Sequence, residues 1–287
     1  MSRYLTTFSG KGGDILWGLA TVKQISQTVN EKVDFCCRPD YRNMIPLIQM
    51  QPYIDKAFVD ENWLLWHSNH GDQPNVPQDH VELEAPYEKV WHLTYKGHPG
   101  INSEKMALID FVAWQQGMRL TEPVCPWIEV RSWAFPYTNA DKAVALDPVL
   151  RMDNYVAYAF NTQYDGEKQA FRTILFSKLP DTKFIEVSSL SWPIAAAVIA
   201  NAACFVGCKS ANYVLAHAVA QKNIFVFEPH PGRNPQGHLG EIFGNPHWPE
   251  RVGPILMPFQ VQAEMAASFI RTWKEEKLKE VLSSANA

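Results

Sequence analysis

The chain has 287 residues, of which 46% are hydrophobic, enough for one large domain or two medium ones with separate cores. Its formal net charge is −4 and no long basic run occurs, so tight nonspecific binding to nucleic acid is not predicted, although a local basic groove is allowed. No run of 18 apolar residues occurs and the first residues lack the apolar core of a signal peptide, so neither a membrane span nor a secretory leader is predicted.

The five cysteines indicate reduced thiols in a cytoplasmic protein. They are odd in number, lack the spacing of a zinc site, and include adjacent Cys36 and Cys37, which are poor disulfide partners. Ten tryptophans is a high count, and several of them, such as Trp63, Trp66 and Trp91, are interpreted as core residues, with a sugar-stacking platform as the alternative.

The N-terminal residues predict a strand, a glycine turn and a helix. A β-branched and aromatic run over 4–8 stops at three glycines, and a helical apolar period follows at Ile15, Leu19, Val22, Ile25 and Val29. Asp14 falls at or near the N-cap of that helix, which places a carboxylate at the carboxyl edge of a parallel sheet. Ligands of open α/β folds bind at this edge.

In this first loop (residues 10–14), Gly10, Gly12 and Gly13 allow positive φ and a close approach of substrate to the backbone. Two phosphate-binding motifs are excluded by the spacing. A P-loop fails because Lys11 comes too early and no Lys-Ser/Thr pair follows, and a dinucleotide fingerprint fails because its third glycine is missing. The plain alternative is that Asp14 only caps a helix.

The rest of the first half alternates strands and helices. Strands are predicted at 33–37, 57–59 and 90–93, and helices at 41–50 and 104–116, the second of which ends at Gly117. Residues 60–88 are irregular and longer than an ordinary connection, so a functional or mobile segment is expected there.

Polar residues in this half give two further hypotheses. The stretch His67 to Asp72 is interpreted as a polar loop rather than a metal site, because nothing places it on a helix and no third ligand is evident. His92, Lys96 and His98 lie at the same sheet edge as Asp14 and are expected to contact an acceptor, although a solvated loop explains them equally well.

The second half begins after a segment rich in proline and turn residues, which predicts a domain boundary between 135 and 153. Strands are then expected at 155–160, 183–187, 204–206 and 224–227, and helices at 167–179, 192–202 and 211–220. The alternation predicts an α/β protein with two Rossmann-like domains whose parallel sheets face across a cleft. The expected division is 1–145, 146–260, and a terminal helix over 261–287 that packs back on the first domain.

A second loop (residues 207–212) repeats the pattern of the first. A buried strand ends at Gly207, and a helix opens at Ser210 or Ala211 with Ser210 as its N-cap. The open N–H groups of that helix can hold an anion, and Lys209 beside them would strengthen a phosphate site. The alternative is a capped helix beside an exposed lysine.

Several segments share the order and spacing of a known family. They are the Gly-Asp run at 13–22, the strand-Arg-Pro element at 33–39, Gln-Pro-Tyr-Ile-Asp at 51–55, and the apolar stretches at 194–200, 205–207 and 215–220. Together they resemble glycosyltransferase family 9, the heptosyltransferases, over about two thirds of the chain. The resemblance implies the GT-B fold.

The resemblance also implies a mechanism, namely inverting, metal-independent transfer of a sugar from a nucleotide-diphosphate sugar to an acceptor hydroxyl. Asp14 occupies the position of the family's proposed general base, and Gly12 and Gly13 would lie against the acceptor. Helix N–H groups and a cation would stabilise the departing nucleotide diphosphate. No metal and no cofactor is implied beyond the nucleotide-sugar co-substrate.

The second signature of the family, Gly-x-Asp-Ser/Thr-Gly-x-x-His, is altered here. Lys209 replaces the acid, Ala211 the glycine and Val214 the histidine, so that Ser210 alone survives of the polar set. The resemblance therefore does not assign ADP-heptose as the donor.

Donor contacts are nevertheless expected from Gly207, Lys209, Ser210 and Ala211 of the second loop. Four further candidates lie elsewhere, at Thr162, Lys168, Glu228 and Arg233. Lys168 and Arg233 would contact phosphate, and Glu228 would accept hydrogen bonds from the ribose hydroxyls.

The favoured acceptor is a cell-envelope glycan. A phage-type DNA glycosyltransferase acting on hydroxymethylated pyrimidines is the alternative, because the chain is short and its second motif is altered. A nucleotide-sugar epimerase and a non-catalytic nucleotide-binding module are further alternatives. The sugar, the nucleotide base, the acceptor class and the oligomeric state are left open.

Overall fold

The computed structural model describes residues 3–8, 10–61, 86–93, 108–120, 126–130, 155–160, 165–208, 210–221, 223–227, 251–252 and 259–285. The chain divides into two compact units. The described residues up to Val130 belong to the first unit and those from Tyr155 onward to the second. The domain boundary expected after residue 145 stays a prediction.

The first unit is a parallel sheet with helices. Its elements are β1 (Tyr4–Phe8), α1 (Gly12–Val29), β2 (Val33–Cys37), a 3-10 helix (Pro39–Met44), α2 (Ile45–Gln49), β3 (Ile54–Val59), β4 (Lys89–Leu93) and α3 (Leu108–Gln115). The strand order is β3-β2-β1-β4, and every pairing is parallel. The chain therefore runs outward from β1 through β2 to β3 and then returns to the other side of β1, so the strand order reverses between β1 and β4.

Helix α1 lies close to β1 because Gly18 of the helix has no side chain where it meets the ring of Phe8. A Cβ added to Gly18 would lie 2.7 Å from the ring of Phe8, which is buried beneath the helix. The apolar period predicted for this helix is buried at Ile15, Leu19 and Val22. The helix ends at Asn30, whose φ of 54° is the left-handed conformation that commonly closes a helix.

Three described tryptophans of the first unit, Trp17, Trp91 and Trp127, are core residues, whereas Trp114 on α3 is 59% exposed. Trp127 is fully buried, and its indole Nε1–H donates to the carbonyl of Leu16 over 2.7 Å. Its ring lies 5.8 Å from that of Trp17, and Trp91 in β4 is also buried. Trp63 and Trp66 lie outside the described residues.

The second unit is a second parallel sheet. Its elements are β5 (Tyr155–Ala159), α4 (Asp165–Lys178), β6 (Lys183–Glu186), α5 (Trp192–Asn201), β7 (Cys204–Cys208), α6 (Ala211–Ala218), β8 (Ile224–Phe227), β9 (Arg251–Val252) and α7 (Phe259–Ala285). The strand order is β6-β5-β7-β8-β9, so it reverses between β5 and β7. The short strand β9 was not predicted from the sequence.

Helices cover both faces of this sheet. On one face, Val156 and Val206 of the sheet share a core with Phe171 of α4 and Ala263 and Ile270 of α7. On the other, the hydroxyl of Tyr155 donates to the carbonyl of Val198 in α5 over 2.8 Å. The strands β5 and β7 are buried along their whole length, as expected for a parallel sheet with helices on both faces.

The terminal helix α7 packs on its own unit through residues 263–274, and a contact of this helix with the first domain stays a prediction. Its buried side chains are Ala263, Ala266, Ala267 and Ile270, a helical stripe that faces α4. Beside that stripe, the guanidinium of Arg271 donates to the carbonyl of Lys178 over 2.8 Å. The small alanines allow this close contact between the two helices.

The predicted helix over 41–50 is two shorter elements. Tyr41 has φ −109° and ψ 21°, which departs from helical geometry inside the 3-10 segment. Pro46 has no N–H to donate to the preceding turn, so α2 starts anew around it. At the end of α3, Gly117 has φ +70°, as predicted for a glycine that terminates a helix.

Cys36, Cys37, Cys204 and Cys208 are buried. Burial raises the pKa of Cys37 to about 12, so this thiol stays protonated and unreactive at neutral pH. Across the described ranges, no helix is both long enough and apolar enough to cross a membrane.

Candidate functional site

Both loops singled out in the sequence lie where the strand order of a sheet reverses. The first loop follows β1, at the β1–β4 reversal, and the second follows β7, at the β5–β7 reversal. In open α/β sheets ligands bind in the crevice outside the carboxyl ends of the strands at this point, because the helices that follow the two strands lie on opposite faces. Each unit therefore carries one candidate site.

Asp14 is the third residue of α1, and Lys11 is its N-cap with extended backbone (φ −72°, ψ 172°). The sequence placed Asp14 at or near the N-cap, and the structure specifies the position. The backbone N–H of Lys11 donates to Asp14 Oδ2 over 2.8 Å. This hydrogen bond and the N-terminus of the helix both stabilise the negative charge of the carboxylate. The side chain is partly exposed.

Gly10 is required by close packing and not by positive φ, which corrects the sequence expectation. Of the glycines the structure describes, Gly117 has positive φ and those of the first loop do not. A Cβ on Gly10 would lie 2.5 Å from the Cβ of Asp14 and closer still to the ring of Phe8. Gly12 and Gly13 are the first two helical residues, so both expected acceptor contacts lie beside Asp14.

Arg38 and Tyr41, which the sequence analysis did not select as site residues, lie at the carboxyl end of β2 beside this loop. Arg38 is buried, and its guanidinium pairs with the exposed carboxylate of Asp40. The same guanidinium lies over the ring of Tyr41, with Cζ 5.9 Å from the ring centroid. Burial raises the pKa of Tyr41, Arg38 lowers it, and the carboxylates of Asp40 and Asp14 raise it further. Tyr41 and Asp14 follow the paired strands β2 and β1 at the same edge of the sheet.

His92 is part of the same edge. It stands opposite Thr7 in the β1–β4 register, and Thr7 Oγ1 lies 2.8 Å from His92 Nδ1. Burial lowers the pKa of His92 below its ordinary value, so the ring is neutral at pH 7. A neutral imidazole whose Nδ1 is fixed by a hydroxyl can present Nε2 to a polar ligand. The structure thus brings His92 to the edge that the sequence predicted.

Ser210 is the N-cap of α6, as predicted, but its hydroxyl makes no capping hydrogen bond. Its Oγ is buried and has no hydrogen-bond partner in the described part of the chain. Its carbonyl instead accepts from the N–H groups of Tyr213 and Val214, at 3.1 and 3.2 Å. The N–H groups of Ala211 and Asn212 in the first turn have no intrahelical acceptor. The helix end is therefore a set of donors suited to an anion.

Asn212 is a polar residue of this first turn that the sequence analysis did not select. It is buried to 6% exposure in a helix whose other buried side chains are mostly apolar. Its position in the first turn of α6 puts a side-chain amide, which can both donate and accept hydrogen bonds, near the helix N-terminus. The signal for it was present, because one amide interrupts an apolar helical run immediately after a cap.

Gly207 has a structural explanation of its own. It lies inside β7, and a Cβ there would be 2.7 Å from the ring of Phe205 and 2.9 Å from the carbonyl oxygen of Ala159 in β5. The glycine thus permits the close pairing of the two strands that flank the reversal point. A direct contact between Gly207 and a donor stays a prediction.

The remaining predicted site residues are not placed by the structure. Lys96, His98, Thr162, Lys209, Glu228 and Arg233 lie outside the described residues, as do His67 to Asp72. Lys168 belongs to α4, and its contact with phosphate stays a prediction. Within the described ranges, no group of three or more His, Cys, Asp or Glu side chains could hold a metal ion.

Comparison with solved structures identifies the fold. The chain superposes on a family 9 glycosyltransferase from Veillonella parvula DSM 2008 with a TM-score of 0.60 and 9% identity, covering 94% of this chain and 97% of that one. It superposes on the E. coli heptosyltransferase WaaC with ADP-2-deoxy-2-fluoro heptose at a TM-score of 0.52 and 11% identity, covering 94% and 99%.

A third similar structure is the E. coli ADP-heptose lps heptosyltransferase II, with a TM-score of 0.51, 12% identity, and coverage of 96% and 99%. No protein-family model and no curated protein matches the sequence. The predicted α/β architecture of GT-B type, with two parallel sheets, is therefore confirmed, and the resemblance to family 9 holds at the level of the fold.

Proposed function

We propose that this protein is an inverting glycosyltransferase that transfers a sugar from a nucleotide-diphosphate sugar to an acceptor hydroxyl without a metal ion. One observation carries the proposal. On a fold like that of family 9, each sheet carries a loop with groups suited to sugar transfer at the point where its strand order reverses. The loop of the first unit carries the Asp14 carboxylate, and the loop of the second carries a helix N-terminus with the Ser210 hydroxyl.

The first loop supplies the base. Asp14 takes the proton of the acceptor hydroxyl as that oxygen attacks the anomeric carbon of the donor sugar. The bond between that carbon and the diphosphate oxygen breaks, and the new bond forms on the opposite face, so the configuration inverts. The hydrogen bond from the Lys11 N–H to Oδ2 holds the carboxylate in one orientation before the acceptor arrives.

The second loop stabilises the leaving group. The departing nucleoside diphosphate accepts hydrogen bonds from the first-turn N–H groups of α6 and from the Ser210 hydroxyl, whose buried Oγ has no partner among the described residues. Lys209, Lys168 and Arg233 are proposed to add positive charge. Thr162 and Glu228 are proposed donor contacts, Glu228 at the ribose.

A cell-envelope glycan is the proposed acceptor. The neighbouring E. coli structures are described as heptosyltransferases, one with a deoxyfluoro ADP-heptose and one as an lps enzyme. The second loop is altered at Lys209, Ala211 and Val214, which argues against assigning ADP-heptose as the donor of this chain.

A thermal-shift screen of nucleoside diphosphates and nucleotide sugars tests the proposal, because a ligand that binds only the native state raises its melting temperature. The stabilising nucleotide sugar is then offered, radiolabelled, to lipid-linked glycans and to hydroxymethylated DNA. Transfer to glycan supports the proposal, and transfer to DNA supports the alternative acceptor. Conversion of the nucleotide sugar without an acceptor would indicate an epimerase, and binding without any reaction would indicate a binding module.

A further inference from the structure

Tyr41 occupies a distinctive place beside the proposed base. It follows β2 by four residues, in a 3-10 segment that its own non-helical backbone interrupts. Its side chain is partly exposed, and β2 pairs with β1 so that Cys37 stands opposite Phe8, which places Tyr41 and Asp14 after neighbouring strands at the same sheet edge. The residue is therefore accessible at the edge where an acceptor would meet the base.

The ring of Tyr41 is held at one face by Arg38. The guanidinium of Arg38 lies over the ring at 5.9 Å, and Arg38 is itself buried and paired with Asp40. The backbone N–H of Tyr41 also donates to the carbonyl of Arg38 over 3.1 Å. An aromatic ring held on one side by a buried cation is a preorganised surface, because little side-chain entropy is lost when a ligand stacks on it.

The charges around Tyr41 favour an uncharged ligand. The two arginines of this segment are each paired with a carboxylate, Arg38 with Asp40 and Arg42 with Glu61. Asp60 lies next to the end of β2, where its backbone N–H donates to the carbonyl of Cys37 over 3.2 Å. The first loop adds the carboxylate of Asp14 and the exposed ammonium of Lys11, so the described edge has no excess of positive charge to hold the phosphates of a nucleic acid.

We infer that Tyr41 is the platform on which an uncharged sugar ring of the acceptor stacks, so that its hydroxyl is delivered to Asp14. The inference rests on the proposed function and names the residue that selects the acceptor. A sugar ring stacks its C–H face on an aromatic ring while its hydroxyl groups stay at the edge, where a base can reach them.

The test is saturation-transfer NMR with the methyl glycosides of glucose, galactose and mannose at millimolar concentration. The wild type is compared with Tyr41→Ala, Tyr41→Phe and Arg42→Ala, the last a control in the same segment that removes an exposed, paired arginine. Circular dichroism and melting temperature establish that each variant is folded. A hydroxymethylated DNA duplex is the second probe.

We expect at least one glycoside to bind the wild type. Tyr41→Ala should weaken that binding about tenfold, because the stacking contact with the aromatic ring is lost. Tyr41→Phe and Arg42→Ala should bind as the wild type does, since the ring carries the contact. The inference is overturned if Tyr41→Ala binds the glycosides as tightly as the wild type, if Tyr41→Phe loses as much as Tyr41→Ala, or if no glycoside binds. Binding of the DNA duplex in place of the glycosides overturns it as well.

A thermal-shift titration with ADP, UDP and GDP on the same proteins separates this inference from the proposed function. Unchanged nucleotide stabilisation in Tyr41→Ala, with glycoside binding lost, supports the inference. If no nucleoside diphosphate stabilises the wild type, the proposed function fails, whatever the glycosides show.

Discussion

The backbone N–H of Lys11 donates to Asp14 Oδ2 over 2.8 Å, closing the first turn of α1 across the glycine loop. The proposed base is thus also a structural residue of the helix N-terminus. The two roles are compatible, because a carboxylate can accept at several positions. A substitution at residue 14 must therefore be judged for its effect on the helix as well as on the chemistry.

Gly10→Ala should damage the site more than its cost in stability explains. The new methyl group would overlap the Phe8 ring and the Cβ of Asp14, and relieving such overpacking costs about 1–3 kcal/mol. Because the overlap acts on Asp14 directly, sugar transfer should fall even at temperatures where the variant is fully folded. Chemical denaturation and an initial-rate assay measure the two effects.

Gly117→Ala is the matched control for Gly10→Ala. It strains a backbone with φ +70° but meets open space, so we expect a loss of about 1 kcal/mol. Its activity per folded molecule should equal that of the wild type. Equal activity losses in the two variants would show that general destabilisation, and not displacement of Asp14, lowers the rate.

Ser210→Ala should weaken nucleotide binding without lowering stability. The hydroxyl makes no cap bond, so its removal should change the free energy of unfolding by less than about 0.5 kcal/mol, against about 1 kcal/mol for an ordinary cap. Loss of a hydrogen bond to a charged phosphate should weaken binding about tenfold. Isothermal titration with the best nucleoside diphosphate measures it.

Ser177→Ala is the control for Ser210→Ala, since its hydroxyl donates only to the carbonyl of Ile174 on an exposed part of α4. It should bind the nucleotide as the wild type does. A clearly destabilised Ser210→Ala with unaltered nucleotide affinity would instead identify Ser210 as an ordinary cap.

His92 should make stability depend on pH below neutrality. Its pKa is lowered by burial in the folded state, so below about pH 6.5 the unfolded chain takes up a proton that the folded chain resists. Stability should therefore fall as the pH drops through this window, and His92→Gln should show a smaller fall. Denaturant midpoints at pH 7.5 and 5.5 give the comparison.

Thr7→Val serves as its control, because it removes the hydroxyl beside Nδ1 and keeps the titrating ring. It should be less stable than the wild type at both pH values while it retains the pH dependence. The same slope in His92→Gln as in the wild type would show that other groups cause it.

The secondary structure of both sheets follows from local patterns and was largely predictable. The bounds of Val33–Cys37 and Ile224–Phe227 are those expected, because each is a short, mostly apolar run whose length suits a strand. The helix over 41–50 was predicted as one element, since periodicity alone does not show the break at Tyr41.

The candidate site was predictable only where one segment carries it. Asp14 and Ser210 follow from strand-glycine-helix patterns, each within a few residues. Arg38 and Tyr41 come to lie near Asp14 because β2 pairs with β1, and that strand order is a long-range property. Individual hydrogen bonds could not be predicted from the pattern either. Ser210 is the N-cap of α6, as its residue type suggests, but its hydroxyl makes no capping hydrogen bond.

The structural role of Gly10 could not be predicted from the sequence for a different reason. A glycine in a turn suggests positive φ, which is a local property. Here the glycine is required because Phe8 and Asp14 crowd it, and that crowding is visible only once β1 and α1 are folded against each other.

Sugar transfer by Asp14→Asn, compared with the wild type at saturating donor, tests the central claim most directly. The amide oxygen can still accept from the Lys11 N–H, so the helix should keep its cap, whereas Asp14→Ala should lose about 1 kcal/mol of stability. We expect Asp14→Asn to bind the nucleoside diphosphate as the wild type does and to transfer sugar about 10²–10⁴-fold more slowly, because an amide cannot take the proton. Transfer at the wild-type rate by this variant would contradict the account.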